Sequence, residues 1–237
     1  MPREHGYIGD FRLVRKLGEG WMGVVYEAEQ QHPRRPVALK VIRGGAHVSS
    51  DTLKLFQRES SMLARLRHPG IAALYETGAT EDGLHYFAME LVRGLTLSEW
   101  LRKRPPGPMI PEELKFRLSV FKKICDAVAY AHQRGVIHRD LKPANVLIPK
   151  PTESSSMQDA VPDVKILDFG LARMTAADVQ AATYVTEMGK IRGTLPYMSP
   201  EQVRGNPDEI DLRTDVYSLG VMLYEMVTGK LPYDLSR

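Results

Sequence analysis

The sequence predicts an α+β fold with two parts, a small β-rich N-terminal lobe followed by a mainly helical C-terminal lobe. Short runs of β-branched and aromatic residues, separated by turn residues, occupy residues 8–92. Past Gly94 the apolar residues recur at helical spacing, above all in a long segment that begins at Pro111. We therefore expect the first lobe to span residues 8–92 and the second to span residues 93–237.

The composition is that of a globular protein. Hydrophobic residues make up 43% and charged residues 26% of the 237 positions, which excludes a disordered or fibrous chain. The net charge of +3 reflects 32 basic and 29 acidic side chains, and the sequence has no basic arm or stripe. We therefore expect no nucleic-acid partner.

The sequence also indicates the compartment. No uncharged run approaches the roughly 18 residues that a membrane span requires, so we expect no membrane segment in this chain. Cys125 is the only cysteine, which excludes an intrachain disulfide and fits a reducing compartment. We interpret it as a small buried hydrophobe on a helix. We expect a cytoplasmic location, as a separate protein or as the cytoplasmic part of a longer, membrane-anchored one.

A glycine-rich turn separates the first two predicted strands, 11–17 and 24–28. Residues 18–23 read GEGWMG, a G-x-G-x-x-G spacing that also occurs in dinucleotide-binding units. In those units a helix follows the glycines and an acid comes about 20 residues later, whereas here a strand follows and no such acid is present. The context favours a flap over nucleotide phosphates, because glycine N–H groups approach phosphate oxygens without an intervening Cβ.

Lys40 lies inside the apolar run 37–42, which predicts the third strand. An unpaired ammonium there costs several kcal/mol, so Lys40 needs a partner. The next helix, predicted over 51–67, carries Glu59 on its apolar face. Glu59 is the expected partner, and the alternative is an ordinary solvated acid.

The remaining elements follow from periodicity and breakers. Strands are predicted at 71–75 and 85–91, a short helix at 97–104, a long helix from Pro111 to just before Gly135, a surface insertion at 149–162, a strand at 164–167 and a buried helix at 215–227. The apolar stripe of the long helix, interpreted as core, is Leu114, Leu118, Phe121, Cys125 and Val128.

The residues that carry the chemistry lie in two short stretches. Residues 138–145 read HRDLKPAN and residues 168–170 read DFG. An acid, a base and an amide in one loop, followed by a second acid after a strand, suit in-line phosphoryl transfer. One group orients the acceptor hydroxyl, and oxygen ligands hold the metal ions.

The first stretch resembles the catalytic loop of the protein kinase family, whose H-R-D-L-x-x-x-N pattern it matches at every fixed position. An isolated DFG is weak, but placed after HRD and before Ser199-Pro200-Glu201 it is highly specific. Lys142, in a D-L-K-P context, resembles serine/threonine rather than tyrosine kinases. The sequence therefore resembles a bacterial, Hanks-type serine/threonine protein kinase, which implies the two-lobed kinase fold.

The resemblance implies a role for each residue. Asp140 would orient the acceptor hydroxyl and take its proton, while Lys142 would stabilise the charge of the transferred phosphoryl group. Asn145 and Asp168 would hold Mg²⁺, with Mn²⁺ as an alternative. The implied ATP-binding set is Leu17, Gly18, Gly20, Gly23, Val25, Ala38, Lys40, Met89, Glu90, Val92 and Leu147.

Other residues are implied to be structural or regulatory. His138 would pack under Phe169, and Asp215 would bond back to the catalytic-loop backbone. An arginine before the catalytic acid, Arg139, implies control by a phosphate, which adds a charge of about −1.5 to −2. In the predicted activation loop, 170–201, the resemblance implies Thr183 and Thr186 as candidate phosphate acceptors and Thr194 on the substrate side.

The expected activity is transfer of the ATP γ-phosphoryl group to serine or threonine of protein substrates, with self-association for autophosphorylation. The resemblance stops at residues 231–234, so we expect the large lobe to lack its last helices. In the family Glu201 pairs with an arginine from that part, and the sequence identifies no replacement. The alternative is therefore a non-catalytic binding or scaffold module. A small-molecule phosphotransferase is disfavoured, because the glycine flap and the segment around Ser199 suit a peptide acceptor.

Overall fold

The computed structural model describes residues 6–20, 23–42, 63–80, 83–104, 110–150, 161–169 and 195–234. Several predictions lie outside these residues: most of the 51–67 helix with Glu59, most of the 149–162 insertion, and Thr183, Thr186 and Thr194. The chain divides into two compact units. Of the described residues, those up to 67 and 72–92 form the first unit, and 68–71 with those from 93 onward form the second.

The first unit is built on an antiparallel sheet of six strands in the order β1-β2-β3-β4-β6-β5. The strands are Tyr7–Ile8 (β1), Phe11–Glu19 (β2), Gly23–Gln30 (β3), Arg35–Ile42 (β4), Leu74–Ala79 (β5) and His85–Glu90 (β6). Alternate residues of β3 and β4 enter the core, as the two-residue period of a strand requires. From these two strands the core takes Val24, Tyr26, Ala28, Val37, Leu39 and Val41.

The strand predicted at 71–75 was wrong at its start. β5 begins at Leu74, whereas Ile71 belongs to the second unit and forms an isolated parallel bridge with Ile166. The Ile71 N–H is bonded to the carbonyl of His68, 3.0 Å away, in a turn. The run predicted as one strand therefore contains two separate features, the bridge at Ile71 and the start of β5 at Leu74.

The second unit is mainly helical. Its helices are Leu97–Arg102 (α1), Pro111–His132 (α2), Pro200–Arg204 (α3) and Leu212–Thr228 (α4). A three-stranded antiparallel sheet contains Gly94–Thr96 (β7), Val146–Pro149 (β8) and Lys165–Ile166 (β9), and 3-10 turns occur at Pro143–Asn145, Leu195–Tyr197 and Pro207–Glu209. Within the described part of the chain, no helix combines the length and the apolar character needed to cross a membrane.

The long helix begins at Pro111 as predicted, but its buried face differs from the predicted stripe. The buried residues are Val120, Ile124, Ala127, Val128 and Ala131, whereas Leu118 is 41% exposed and Cys125 is only half-buried. Two overlapping sets of residues have helical spacing here. The helix buries the set with small or β-branched side chains, and burial still raises the pKa of the Cys125 thiol.

Helix α4 was predicted to be a buried helix, but only one of its faces is buried. Its buried face carries Thr214, Asp215 and Ser218 as well as Val221, Met222 and Met226. Its other side exposes Leu212, Val216 and Tyr224. The polar residues are buried because each has a hydrogen-bond partner, which removes the main cost of burying them.

Candidate active site

Asp140 lies in the loop between α2 and β8 and is held by two neighbours from its own loop. The Lys142 ammonium donates to Asp140 Oδ1 at 3.0 Å and to Oδ2 at 2.8 Å. Asn145 Nδ2 donates to the Asp140 backbone carbonyl at 2.7 Å and to Oδ2 at 3.0 Å. The structure therefore brings together three predicted residues, Asp140, Lys142 and Asn145, around one carboxylate.

This carboxylate and its cation are only partly shielded from water. The side chains of Lys142 and Asp140 retain 16% and 17% of their exposure. A carboxylate can accept a proton from a hydroxyl group. The arrangement therefore provides a proton acceptor beside a fixed positive charge.

The His138 imidazole is fully buried behind the loop. Its Nδ1 accepts the backbone N–H of Asp140 at 3.2 Å, so Nδ1 carries no proton. Its Nε2 lies 2.8 Å from the Leu167 carbonyl and must donate to it. The imidazole ring is therefore held at both of its nitrogen atoms. It packs edge-on against Phe169, with ring centroids 4.7 Å apart.

Asp215 of α4 ties the loop to the helical core. Its fully buried carboxylate accepts the backbone N–H of His138 at Oδ2 and that of Arg139 at Oδ1, each at 2.8 Å. His132 Nε2 lies 2.7 Å from Oδ2. Burial raises the pKa of Asp215, but the His132 hydrogen bond, the proximity of His138 and the two backbone bonds outweigh burial and lower the pKa below its ordinary value.

Two residues of this network escaped the sequence analysis. His132, in the last turn of α2, is a partner of Asp215. Gln202, in α3, donates from Nε2 to the Arg139 carbonyl at 2.6 Å. A histidine near a helix C-terminus is a weak signal for such a role. For Gln202 the only sequence signal was its place three residues after Ser199, which marks a capping box.

Asn145 and Asp168 lie at the same end of the β8–β9 pair. Val146 pairs with Ile166, and the Leu167 N–H donates to the Asn145 carbonyl at 2.9 Å. Asn145 therefore precedes one strand and Asp168 follows the other. An amide oxygen and a carboxylate fit a hard divalent cation that phosphates and water complete. No group of three or more His, Cys, Asp or Glu suited to a metal ion occurs in the ranges that the structure describes.

In the first unit, five of the predicted nucleotide-binding residues share the sheet face opposite the core: Gly18, Val25, Ala38, Lys40 and Met89. Lys40 pairs with Val25 on β3 and with Phe87 on β6. Gly18 pairs with Val25, and Ala38 pairs with Met89. Lys40 is 5% exposed. Strand register therefore brings these residues together across β2, β3, β4 and β6.

Three further predicted residues have defined surroundings. Gly23 leaves no room for a side chain, because a Cβ there would lie 1.9 Å from the Val41 carbonyl oxygen. Glu90 at the end of β6 exchanges two bonds with Ala73: its N–H donates to the Ala73 carbonyl at 2.8 Å and its carboxylate accepts the Ala73 N–H at 3.2 Å. Leu147 lies in β8 of the second unit, opposite Thr96 and Lys165.

Glu201 has a partner, contrary to the expectation from the sequence. Thr214 Oγ1 donates to Glu201 Oε1 at 2.7 Å, and Thr214 is fully buried. This bond is the main reason that the pKa of Glu201 lies below its usual value. The Thr214 hydroxyl of α4 is therefore a hydrogen-bond partner of the Glu201 carboxylate.

Comparison with known proteins agrees with this geometry. Residues 11–237 match the family model described as protein kinase domain. The serine/threonine-protein kinase PrkC of Bacillus subtilis is 34% identical over 226 residues, which cover 95% of this chain and 31% of PrkC. PknB of Mycobacterium tuberculosis is 39% identical over 226 residues, covering 94% of this chain and 33% of PknB.

Solved structures point the same way. The crystal structure of the PknI kinase domain of Mycobacterium tuberculosis matches with a TM-score of 0.71 and 26% identity, covering 100% of this chain and 80% of that one. The chain spans about a third or less of the length of the curated relatives it matches. With its two units in the kinase fold and its catalytic-loop pattern intact, the chain belongs to the protein kinase family.

Proposed function

We propose that this chain is an ATP-dependent serine/threonine protein kinase, which transfers the γ-phosphoryl group of ATP to a serine or threonine hydroxyl of a protein substrate. The observation that carries this proposal is the arrangement of Asp140, whose carboxylate is held by Lys142 and Asn145. The kinase names of the relatives favour a catalytic domain over a non-catalytic binding module.

Asp140 is the group that touches the acceptor. Its carboxylate accepts a hydrogen bond from the substrate hydroxyl, aims the oxygen at the phosphorus and receives the proton as the new bond forms. Lys142 offsets the negative charge that gathers on the transferring group. The Asn145 side-chain nitrogen donates both of its hydrogen bonds to Asp140. The side-chain oxygen of Asn145 can therefore face a cation.

Kinases of this family use ATP and a divalent metal ion. We assign Asn145 and Asp168 as the protein ligands, Mg²⁺ as the metal and Mn²⁺ as the alternative, because both ligand atoms are hard oxygens. When bound, the cation neutralises the charge of the phosphate oxygens. We assign Lys40 to the phosphates of ATP.

Several predictions from the sequence remain part of this proposal. Residues 8–92 and 93–237 act as the two lobes, and the strands of the first unit supply the ATP-binding set. Glu59 pairs with Lys40, and Thr183 and Thr186 accept regulatory phosphates while Thr194 faces the substrate. Phosphorylation of these threonines between two copies of the chain requires self-association. We place the domain in the cytoplasm, where ATP is available.

The test is phosphoryl transfer with identification of the acceptor. The purified protein is incubated with Mg²⁺, γ-labelled ATP and a generic basic protein, and labelled amino acids are separated after hydrolysis. We expect label on serine and threonine and none on tyrosine, and none at all with Asp140→Asn. Label on tyrosine alone, or equal label with Asp140→Asn, would overturn the proposal.

A further inference from the structure

The residue before the catalytic acid has an unusual backbone. Arg139 has a φ of 69°, in the left-handed region that residues with a Cβ rarely adopt. Such a conformation persists only where the surroundings fix it more than once. The groups that hold Arg139 therefore decide where Asp140 lies.

Both polar backbone groups of Arg139 are bound by side chains from other elements. Its N–H donates to Asp215 Oδ1 at 2.8 Å, and its carbonyl accepts Gln202 Nε2 at 2.6 Å. The Arg139 carbonyl and the Asp140 N–H belong to the same peptide unit. His138 Nδ1 accepts that N–H at 3.2 Å. The peptide plane that enters Asp140 is thus fixed at its oxygen by Gln202 and at its nitrogen by His138.

Gln202 has a second task at the start of α3. Its side-chain Oε1 accepts the backbone N–H of Ser199 at 3.0 Å, and its backbone N–H donates to the Ser199 hydroxyl at 3.4 Å. This reciprocal pair is a capping box, in which glutamate serves at least as well as glutamine. Only the amide, however, can also donate to a carbonyl. The bond to Arg139 therefore gives a reason for glutamine at this position.

We propose that Gln202 is a positioning residue for catalysis: through the Arg139 carbonyl it fixes the peptide that aims Asp140. The inference rests on the proposed kinase function. Because α3 directly follows the predicted activation loop, Gln202 also links the end of that segment to the catalytic loop. It touches neither reactant, so it acts on the reaction only through Asp140.

Gln202→Glu separates the two tasks. Glutamate keeps the oxygen that caps α3 and removes the donor to Arg139. We expect kcat to fall roughly tenfold, as loss of one hydrogen bond that orients a reacting group warrants. The KM for ATP should not change, and the melting temperature should fall much less than in Gln202→Leu. Gln202→Leu removes both tasks, and we expect a similar fall in kcat together with a lower melting temperature.

Controls make the result specific. Gln133→Glu adds the same charge at an exposed position of the second unit and should leave kcat unchanged. Wild type and Asp140→Asn are measured in the same assay. An inactive wild type would contradict the proposed kinase function itself. If the wild type is active, the Gln202 variants test the positioning role alone. A wild-type kcat in Gln202→Glu would overturn the inference. So would a fall in kcat that scales with the fall in melting temperature across the two Gln202 variants, because loss of folded protein alone would then explain it.

Discussion

The Lys142 ammonium lies within hydrogen-bond distance of both carboxylate oxygens of Asp140, at 3.0 and 2.8 Å. We propose that Lys142 acts on the transferring phosphoryl group rather than on folding, since both side chains keep some contact with water. Replacing it should therefore affect the chemical step much more than stability.

We expect Lys142→Met to lower kcat about 100-fold, because removing one electrostatic contact to the transition state commonly costs two to three powers of ten. The KM for ATP should change little, since we assign nucleotide binding to the strands of the first unit. Steady-state kinetics measure both. Lys115→Met, at an exposed position of α2, is the control. A wild-type kcat for Lys142→Met would show that the ammonium has no part in transfer.

Asp215→Asn should destabilise the second unit. The carboxylate accepts two backbone N–H groups and lies against His132, and an amide cannot accept all three bonds. We expect a loss of about 1 to 3 kcal/mol in the free energy of unfolding, measured by urea titration. Asp126→Asn breaks an exposed ion pair with Lys122 and should cost under about 0.5 kcal/mol. Equal losses for the two variants would contradict the account.

Acid should weaken the contact of α2 with Arg104. Hydrogen bonds from Arg104, and then from Arg117, outweigh burial and lower the pKa of Glu113 to about 2 from the usual 4.5. Since the folded pKa is lowered, this contribution to stability is complete above pH 4.5 and is lost as the pH falls toward 2.

Glu113→Gln should therefore be less stable than wild type at neutral pH, by about 1 to 2 kcal/mol after screening by solvent. Its free energy of unfolding should also fall less between pH 5 and pH 3 than that of wild type. Urea titrations across this pH range test both expectations. Parallel pH profiles for the two proteins would show that the arginine pairs do not set the pKa of Glu113.

Gly23→Ala should separate β3 from β4, because the added Cβ would lie 1.9 Å from the Val41 carbonyl oxygen. We expect a lower melting temperature and a higher KM for ATP. Gly18→Ala is the matched change for stability, since a Cβ at Gly18 meets no atom within 4 Å. Its melting temperature should equal that of wild type. Equal melting temperatures for both variants would show that a Cβ at Gly23 does not clash with the Val41 carbonyl oxygen.

Local patterns predicted much of this structure. The strands around Lys40 and the helix that begins at Pro111 lie where alternation, helical spacing and the proline indicated. Asp140, Lys142 and Asn145 come together because they lie within one loop, so their contacts require little information from distant parts of the chain.

The errors have a common physical origin in contacts between distant segments. Gln202 reaches Arg139 across 63 positions and His132 reaches Asp215 across 83, and no local pattern specifies such pairs. The prediction of the buried face of α2 was wrong because both candidate faces have the same helical spacing. Only packing against other elements selects which face is buried. Thr214 likewise pairs with Glu201 through tertiary structure rather than through any motif.

We propose that phosphoryl transfer requires the Asp140 carboxylate, whereas ATP binding and folding do not. Single-turnover transfer from γ-labelled ATP to a basic protein, at matched occupancy of ATP, measures this most directly in wild type and Asp140→Asn. We expect the variant to bind ATP and melt like wild type while its transfer rate falls at least about 100-fold. Transfer by Asp140→Asn at the wild-type rate would contradict the account.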